Sequence, residues 1–277
     1  MACGTGKTLT AQRIAEKLDS KTTLVLIPSL LLLSKTVLDW LTEKEKNHNF
    51  SFLPVCSDQR VLRGKGTEDQ IELSVSELNV KPTTDPSEIA EFLKGDGKKV
   101  IFSTYQSSTQ IVAAYNQHKL KPFDLIIADE AHRCAGKVSS DYGTVLSEDL
   151  LPAKNRIFMT ATPRIYKAHI RKKAEENEIE IASMDDESVF GPVLHHLTFG
   201  QAIANDPPLL TDYRVVVVGV NEETYKEMVE DRTLIKTETG IKDDARSLAT
   251  QVGLAKAVKK YDLKRVISFH SRIILAV

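Results

Sequence analysis

The sequence predicts an α/β fold in which a parallel β-sheet carries helices on both faces. Two observations predict it. Short apolar runs recur along the first 160 residues, and they are apolar throughout rather than alternating. Such runs are typical of strands that are covered on both faces. Stretches with the helical spacing of apolar residues lie between them, and this alternation of strand and helix favours a parallel sheet.

The strand candidates are, in chain order, 23–27, 50–55, 99–103, 123–128 and 156–160. A stripe at i, i+3, i+4 and i+7 predicts the first helix: Ala11, Ile14, Ala15 and Leu18. A similar apolar stripe predicts a helix over 30–41. A third helix is predicted over 85–93, with Asp85 as its N-cap, Pro86 at its first position and Glu88 closing a capping box.

Two segments interrupt this alternation. Residues 58–84 are polar and charged and are predicted to form a surface insertion. Pro207 and Pro208 mark a connection that cannot be helical. After it a strand is predicted over 213–220, a helix over 244–261 and a strand over 265–271. We therefore expect two domains, which are 1–205 and 206–277.

Composition excludes several classes of protein. The chain of 277 residues has a formal net charge of -1, which excludes a globally basic nucleic-acid binder but not a local basic groove. Three scattered cysteines are too few for a disulfide framework or a zinc site, and they predict a reducing, cytoplasmic location. No apolar run reaches the roughly 18 residues of a membrane span, so no membrane partner is expected.

The first motif is "MACGTGKT", which matches the phosphate-loop pattern GxxxxGKS/T except that Met1 replaces the leading glycine. Glycines without side chains let backbone N–H groups turn inward around phosphate oxygens. The lysine would reach the β- and γ-phosphates, the threonine after it would ligate Mg²⁺, and the following helix would point its positive end at the same anion. A chance glycine-rich loop before a helix is the alternative. The predicted nucleotide-binding residues are Gly4, Thr5, Gly6, Lys7 and Thr8.

The second motif is "FDLIIADEAH", in which an apolar run ends in an acidic pair. Open α/β sheets bind ligands at the carboxyl ends of their strands. Asp129 can hold Mg²⁺, and Glu130 can orient and deprotonate the attacking water. Together with Lys7 they are the predicted catalytic residues. The alternative is a strand that leaves the sheet into a solvated acidic turn.

The third motif, "RIFMTATP", ends a strand in two hydroxyl-bearing residues, Thr160 and Thr162. Their hydroxyls could hydrogen-bond the acidic motif and sense its state. Taken alone, this motif is better explained as an ordinary strand exit. The order of all three motifs is much more specific than any one of them.

In this order the motifs resemble those of superfamily 2 helicases and translocases of the DEAH-box type. "LIPSLLLLSKT" is similar to motif Ia of that family, "STYQS" to the strand exit that grips the nucleic-acid backbone, and "RVISFHSR" to motif IV. The resemblance implies a RecA-like P-loop NTPase domain, the start of a second one, and ATP and Mg²⁺ as cofactors. It also implies that His132, Thr160 and Thr162 couple the acidic motif to the rest of the motor.

Finer similarities point to one branch of that superfamily. "DEAHRCAG", "MTATPRIY" and "LLTDYRVVVVGV" resemble the motor of Type ISP and Type I restriction–modification enzymes. The resemblance implies ATP-driven translocation along double-stranded DNA. It also implies nuclease, methyltransferase and target-recognition modules outside this chain.

The same resemblance makes four residues candidates for contacts to the DNA backbone: Ser29, Ser103, Thr104 and Gln106. Neutral hydroxyl and amide donors can bind phosphates without a basic surface, and such contacts position a protein without reading sequence. The alternative role for each is that of a helix cap or a strand-end polar group.

By comparison with that superfamily, we expect three features to lie outside this sequence: the strand before the phosphate loop, the adenine-recognition residues and the arginine finger. An arginine finger contributes about 10³–10⁵ in rate, so the chain alone is expected to hydrolyse ATP very slowly. Two other interpretations stay open, a repair or remodelling helicase with the same core and a non-catalytic remnant of a disrupted gene.

Overall fold

A five-stranded parallel sheet lies at the centre of the computed structural model, in the order β2-β3-β1-β4-β6. The structure describes residues 1–44, 49–57, 81–137, 141–177, 181–213, 215, 253–254 and 257–266. The five strands are β1 (Thr22–Ile27), β2 (Ser51–Val55), β3 (Lys99–Thr104), β4 (Leu125–Asp129) and β6 (Arg156–Met159). All four pairings between neighbours are parallel. The predicted fold class is therefore confirmed.

Helices connect the strands and cover both faces of the sheet. The four longer ones that precede β4 are α1 (Lys7–Lys17), α2 (Leu30–Glu43), α3 (Pro86–Lys94) and α4 (Ser108–Gln117). Two 3₁₀ helices follow β4, at Ala131–Arg133 and Asp141–Leu146. The remaining elements are α5 (Ala168–Glu175), α6 (Glu187–Phe190), α7 (Phe199–Ala204) and an antiparallel pair, β5 (Gly136–Lys137) with β7 (Ile181–Ala182).

The core is divided between the two faces because successive side chains of a strand point to opposite sides. Leu24 and Leu26 of β1 belong to the apolar cluster that includes residues of α3 and α4. Val25 and Ile27 of the same strand belong to the cluster that includes residues of α1 and α2. Burial on both faces explains why the strand runs show no apolar–polar alternation.

The start of α3 differs from the prediction in one detail. Asp85 is the N-cap, as predicted, and its Oδ1 accepts from Ser87 N at 2.8 Å. The predicted capping box with Glu88 does not form. The Asp85 N–H donates instead to Thr83 Oγ1 at 3.0 Å, which leaves it unavailable to a glutamate from the first turn.

The predicted insertion over 58–84 is described only from residue 81 onward. Its end belongs to the sheet: Thr83 N donates to Pro54 O at 3.1 Å, and Thr83 pairs in parallel with Val55. Pro82 and Thr83 are buried. Pro82 and Thr83 therefore extend the edge of the sheet and differ from the surface insertion that was predicted for them.

The chain divides into two compact units, Met1–Thr211 and Asp212–Val277. In the second unit, 253–254 and 257–261 are helical and fall within the helix predicted over 244–261. Most residues of the strands predicted over 213–220 and 265–271 lie outside the described part of the chain. None of the described helices could span a bilayer, since the longest has 14 residues.

Candidate functional site

The phosphate loop depends on two glycines in left-handed backbone conformations. Gly4 has φ +78° and Gly6, the N-cap of α1, has φ +83°. L side chains rarely adopt such values, so both positions favour glycine. A Cβ added at Gly6 would meet nothing within 4 Å, which shows that the space above this part of the loop is open to a ligand. Thr5 Oγ1 donates to Ala2 O at 2.7 Å and closes the turn.

The loop packs against a segment close to the end of the first unit. Ala2 N donates to Leu197 O at 2.9 Å. A Cβ added at Gly4 would lie 3.2 Å from Leu210 Cδ2, so a larger residue there would push the Leu210 side chain aside by a few tenths of an ångström. The segment from 197 to 210 therefore supports the outer side of the phosphate loop.

Lys7 and Thr8 occupy the first turn of α1, where backbone N–H groups are not used by the helix itself. Among the described residues, Lys7 forms no ion pair, although its charge partly opposes the rise that burial causes in the pKa of Asp129. Thr10, not Thr8, donates its hydroxyl back to Gly6 O, at 3.0 Å. Within the described residues the Thr8 hydroxyl has no hydrogen-bond partner, which leaves both side chains available to a ligand.

The acidic pair lies at the carboxyl end of β4. Asp129 is the last residue of the strand, and Glu130 turns the chain with φ 48° and ψ 45° into the 3₁₀ helix Ala131–Arg133. Asp129 Oδ1 accepts from Glu130 N at 3.0 Å. Burial raises the pKa of Asp129; the Glu130 charge adds to this rise, and that backbone hydrogen bond and the charges of Lys7 and His132 oppose it.

His132 joins the acidic motif to the end of β6. Its Nδ1 lies 3.3 Å from Glu130 Oε2 and 3.0 Å from Thr160 Oγ1. An ionised carboxylate only accepts hydrogen bonds, so Nδ1 must carry a hydrogen to interact favourably with Glu130. Thr160 Oγ1 also accepts from Thr162 N at 3.2 Å. The three predicted coupling residues are therefore in contact, with Thr162 contributing its backbone.

The four predicted DNA-contact residues fall into two pairs. Ser29 and Gln106 are exposed: Ser29 caps α2 by accepting from Leu32 N at 3.4 Å, and Gln106 Nε2 donates to Tyr142 OH at 2.8 Å. Ser103 and Thr104 are buried, and their hydroxyls donate locally, to Thr104 O at 2.9 Å and to Ser107 Oγ at 3.1 Å. The hydroxyls of Ser103 and Thr104 therefore fit the alternative role, that of polar groups bonded locally at the end of a strand.

Two tyrosines beside the acidic motif were not among the predicted site residues. Tyr105 is fully buried and its hydroxyl donates to Asp129 O at 2.7 Å. Tyr142, in the 3₁₀ helix Asp141–Leu146, stacks on Tyr105 with ring centroids 5.1 Å apart. Tyr105 is the middle residue of "STYQS", so its place in that motif could have identified it from the sequence. Nothing in the sequence around Tyr142 marks it.

Comparison with known proteins decides the family. Residues 1–165 match the family model described as "Type III restriction enzyme, res subunit". The chain belongs to this family. The match covers more than half of the chain and contains the phosphate loop, the acidic pair and the end of β6.

The similar proteins include a probable helicase and two restriction enzymes. The chain is 34% identical to "Probable helicase A859L" of African swine fever virus (isolate Tick/South Africa/Pretoriuskop Pr4/1996) over 166 residues. The matched residues make up 59% of this chain and 16% of that protein. It is 32% identical, with a TM-score of 0.67, to the solved structure of the ATP-dependent Type ISP restriction-modification enzyme LlaBIII bound to DNA. That match covers 93% of this chain and 17% of LlaBIII.

A second Type ISP structure agrees. It is a nuclease-deletion mutant of LlaGI in complex with a DNA substrate mimic, with 28% identity and a TM-score of 0.61. The match covers 94% of this chain and 20% of that one. The predicted resemblance to Type ISP enzymes is confirmed. The chain spans about a sixth of the curated relatives and at most a fifth of these restriction enzymes.

The residues present fit a magnesium–nucleotide complex. The open loop above Gly6, the available Lys7 side chain and the first turn of α1 together suit a phosphate group. No group of three His, Cys, Asp or Glu side chains among the described residues could hold a metal alone. Mg²⁺ commonly takes only one or two protein ligands and completes its shell with water and substrate phosphates, which suits Thr8 and Asp129.

Proposed function

We propose that this chain is the nucleotide-binding part of an ATP-driven motor that moves along double-stranded DNA in a restriction enzyme of the Type ISP class. One observation carries the proposal. The acidic pair and the end of β6 meet at the carboxyl edge of one sheet, where His132 contacts both Glu130 and Thr160, and Lys7 of the phosphate loop is close enough for its charge to act on Asp129.

The phosphate loop and the first turn of α1 bind the triphosphate. Backbone N–H groups around Gly4 and Gly6 donate to its oxygens, and Lys7 neutralises charge on the terminal phosphates. Thr8 and Asp129 would hold Mg²⁺, which when bound withdraws charge from the phosphate oxygens. The open space at Gly6 is the structural support for this arrangement.

Glu130 is the base in this proposal. It orients a water molecule and accepts its proton, while His132 holds the carboxylate through Nδ1 at 3.3 Å from Glu130 Oε2. The same ring nitrogen lies 3.0 Å from Thr160 Oγ1. A change at Glu130 during turnover therefore reaches the end of β6 through a single side chain, which is the coupling that a motor requires.

DNA is the proposed substrate track. Ser29 and Gln106 supply exposed donors for phosphate oxygens, while the buried hydroxyls of Ser103 and Thr104 hold the turn that presents Gln106. The nuclease, methyltransferase and target-recognition modules of such an enzyme would lie outside this chain. A cytoplasmic location, where the motor meets DNA, is part of the proposal.

Titration of a fluorescent ATP analogue in the presence of Mg²⁺ tests the nucleotide site in the 277-residue chain. We expect Lys7→Ala to weaken binding by about tenfold or more, because one charge-assisted contact to phosphate contributes about 1.5–3 kcal/mol. Lys17→Ala is the matched control, since Lys17 is exposed in the last turn of the same helix. Equal affinities of the Lys7→Ala variant and the unmodified chain would contradict the proposal.

A repair or remodelling helicase is the second candidate, because the viral relative that is described as a probable helicase is 34% identical over 166 residues. The two candidates differ in what the intact protein does to a duplex. A translocase displaces a third strand from triplex DNA without separating the duplex, whereas a helicase releases single strands. The disrupted-gene interpretation predicts no nucleotide binding at all, so the Lys7 titration also tests it.

A further inference from the structure

The phenol oxygen of Tyr142 is the meeting point of two exposed donors from different motifs. Gln106 Nε2, from "STYQS", donates to it at 2.8 Å. Arg133 Nη1, from "DEAHR", donates to it at 3.3 Å. We refer to Gln106, Arg133 and Tyr142 as the Tyr142 cluster. Its members combine a guanidinium, an amide and a hydroxyl on the surface of the protein.

A short series of contacts connects the cluster to the acidic motif. The Tyr142 ring packs on Tyr105 at 5.1 Å between centroids and 33° between planes. The Tyr105 hydroxyl donates to Asp129 O at 2.7 Å. Burial raises the pKa of Tyr105 well above its ordinary value, so this hydroxyl remains a donor at any working pH. A displacement of Tyr142 therefore acts on the backbone of Asp129 through one intervening ring.

A second contact fixes the 3₁₀ helix that carries Tyr142. Thr144 Oγ1 lies 2.7 Å from Ser108 Oγ, at the first residue of α4, and Ser108 Oγ donates to Tyr105 O at 2.6 Å. The helix is thus held at two points, Tyr142 and Thr144, against residues 105–108. This double attachment makes Tyr142 a defined part of the site rather than a loose surface side chain.

We propose that the Tyr142 cluster binds a phosphodiester of double-stranded DNA, and that Tyr142 and Tyr105 are positioning residues that transmit this contact to Asp129. The inference rests on the proposed function and deepens it. A phosphate oxygen takes the place that the Tyr142 oxygen now has as the acceptor for Gln106 and Arg133. The Tyr142 hydroxyl is then free to donate to the same phosphate.

The chemistry favours a phosphodiester for two reasons. Arginine binds phosphate oxygens with two parallel N–H groups, and the amide and hydroxyl add donors without adding charge. All three groups donate to backbone oxygens without reading base sequence, as a motor that moves along arbitrary DNA requires. If DNA at the cluster changes the affinity for Mg-nucleotide at Asp129, thermodynamic linkage requires the reverse effect. Bound Mg-nucleotide must then change the affinity for DNA by the same factor.

The salt dependence of DNA binding tests the contact itself. Anisotropy of a labelled duplex is measured with the 277-residue chain at several salt concentrations. We expect Arg133→Gln to reduce the slope of log K against log salt by about one, since one phosphate neutralisation is lost. Arg133→Lys should keep the slope. Tyr142→Phe should keep the slope and weaken binding by about 3–10-fold, the effect of one hydrogen bond.

The effect of nucleotide on DNA affinity tests the transmission to Asp129. DNA affinity is measured with and without a non-hydrolysable ATP analogue and Mg²⁺. We expect the ratio of the two affinities to approach one in Tyr142→Phe and in Tyr105→Phe, which keep both rings. Tyr115→Phe is the matched control: Tyr115 lies on α4, and its hydroxyl donates to Lys121 O at 2.9 Å, away from the cluster. It should retain the ratio of the unmodified chain.

The outcomes separate this inference from the proposed function. If the unmodified chain binds duplex and nucleotide with a coupled affinity, but the Tyr142, Tyr105 and Arg133 variants behave like Tyr115→Phe, the cluster has no such role and the proposed function stands. An unmodified chain that binds both ligands without coupling also overturns the transmission. If it binds neither duplex nor nucleotide, the proposed function and the inference both fail.

Discussion

Two aspartates bracket the same strand, and their environments are opposite. Asp124 comes directly before β4; its Oδ2 accepts from Lys21 N at 2.8 Å and from Thr22 N at 3.1 Å, and its Oδ1 lies 2.7 Å from Lys154 Nζ. Asp129 ends β4, and its carboxylate accepts one hydrogen bond from the described residues, from Glu130 N. One edge of the sheet therefore satisfies its carboxylate internally, while the other leaves it available to a ligand.

The pKa values of the two groups follow this difference. Burial acts to raise the pKa of Asp124, but Lys154 and the two backbone N–H groups outweigh it and lower the pKa. Burial raises the pKa of Asp129, and the smaller opposing contributions do not reverse the shift. The comparison shows that two aspartates at opposite ends of one strand can have pKa values shifted in opposite directions, because their partners and not the residue type decide the shift.

The largest effect that separates them is expected for Asp129→Asn. An amide keeps the shape of the side chain but is a poor ligand for Mg²⁺, so Mg²⁺-dependent nucleotide affinity should fall by about 100-fold. Stability should be unchanged or slightly higher, because a half-buried charge with few partners is removed. Titration with the ATP analogue at varied Mg²⁺, together with urea unfolding, measures both quantities.

The comparison would break if Asp129→Asn bound Mg-nucleotide normally and lost stability. Asp129 would then be structural, like Asp124. Asp124→Asn is the matched control at the other end of the same strand, and its Mg²⁺ dependence should equal that of the unmodified chain.

The next effect is on stability. Asp124→Ala leaves the N–H groups of Lys21 and Thr22 without their acceptor and Lys154 without its partner. Since hydrogen bonds to charged groups contribute more than neutral ones, we expect a loss of about 2 kcal/mol in the free energy of unfolding. Asp124→Asn should lose less, because its carbonyl oxygen can still accept from the backbone. Nucleotide affinity of the folded protein should not change.

Acid titration sharpens this prediction. The pKa of Asp124 is lower in the folded chain than in the unfolded one, so its stabilisation is fully present above the unfolded value, near 3.8, and is lost as pH falls through the folded value. The stability difference between the unmodified chain and Asp124→Asn should therefore shrink as pH falls below about 4. A difference that stayed constant down to pH 2 would show that the charge of Asp124 contributes nothing.

Sequence reasoning located the strands and the residues at their ends because both signals are local. Apolar runs mark buried strands, and "MACGTGKT" and "DEAH" consist of adjacent residues whose spacing is fixed by the backbone. The carboxyl ends of parallel strands lie at one edge of the sheet, so the proximity of Asp129 at the end of β4 to Thr160 after β6 could be expected from topology. The fold and the position of the candidate site at the edge of the sheet were therefore largely predictable.

What the sequence could not show were contacts between side chains far apart in the chain. A strand that is buried on both faces has no alternation to reveal which residues face inward, so nothing distinguished Ser103 and Thr104, which are buried, from Gln106, which is exposed. Tyr142 meets Gln106 and Tyr105 across 36 and 37 residues of chain. No periodicity or motif carries that information.

The smallest expected effect concerns Ser29, which caps α2 and is also a proposed DNA contact, so its hydroxyl serves either the fold alone or DNA as well. Its cap bond is long, at 3.4 Å against 2.8 Å for Asp85 at the start of α3. We expect Ser29→Ala to cost about 0.5 kcal/mol of stability and Asp85→Ala about 1 kcal/mol, measured by urea unfolding. Ser29→Gly should cost only about a few tenths of a kcal/mol, because glycine is accepted at an N-cap.

If Ser29 also binds DNA, both Ser29 variants should weaken duplex binding by about 2–5-fold, because one neutral hydrogen bond is lost. Asp85→Ala should leave duplex binding unchanged. Normal duplex binding by Ser29→Gly would show that Ser29, like Asp124, uses its polar group only in hydrogen bonds within the fold.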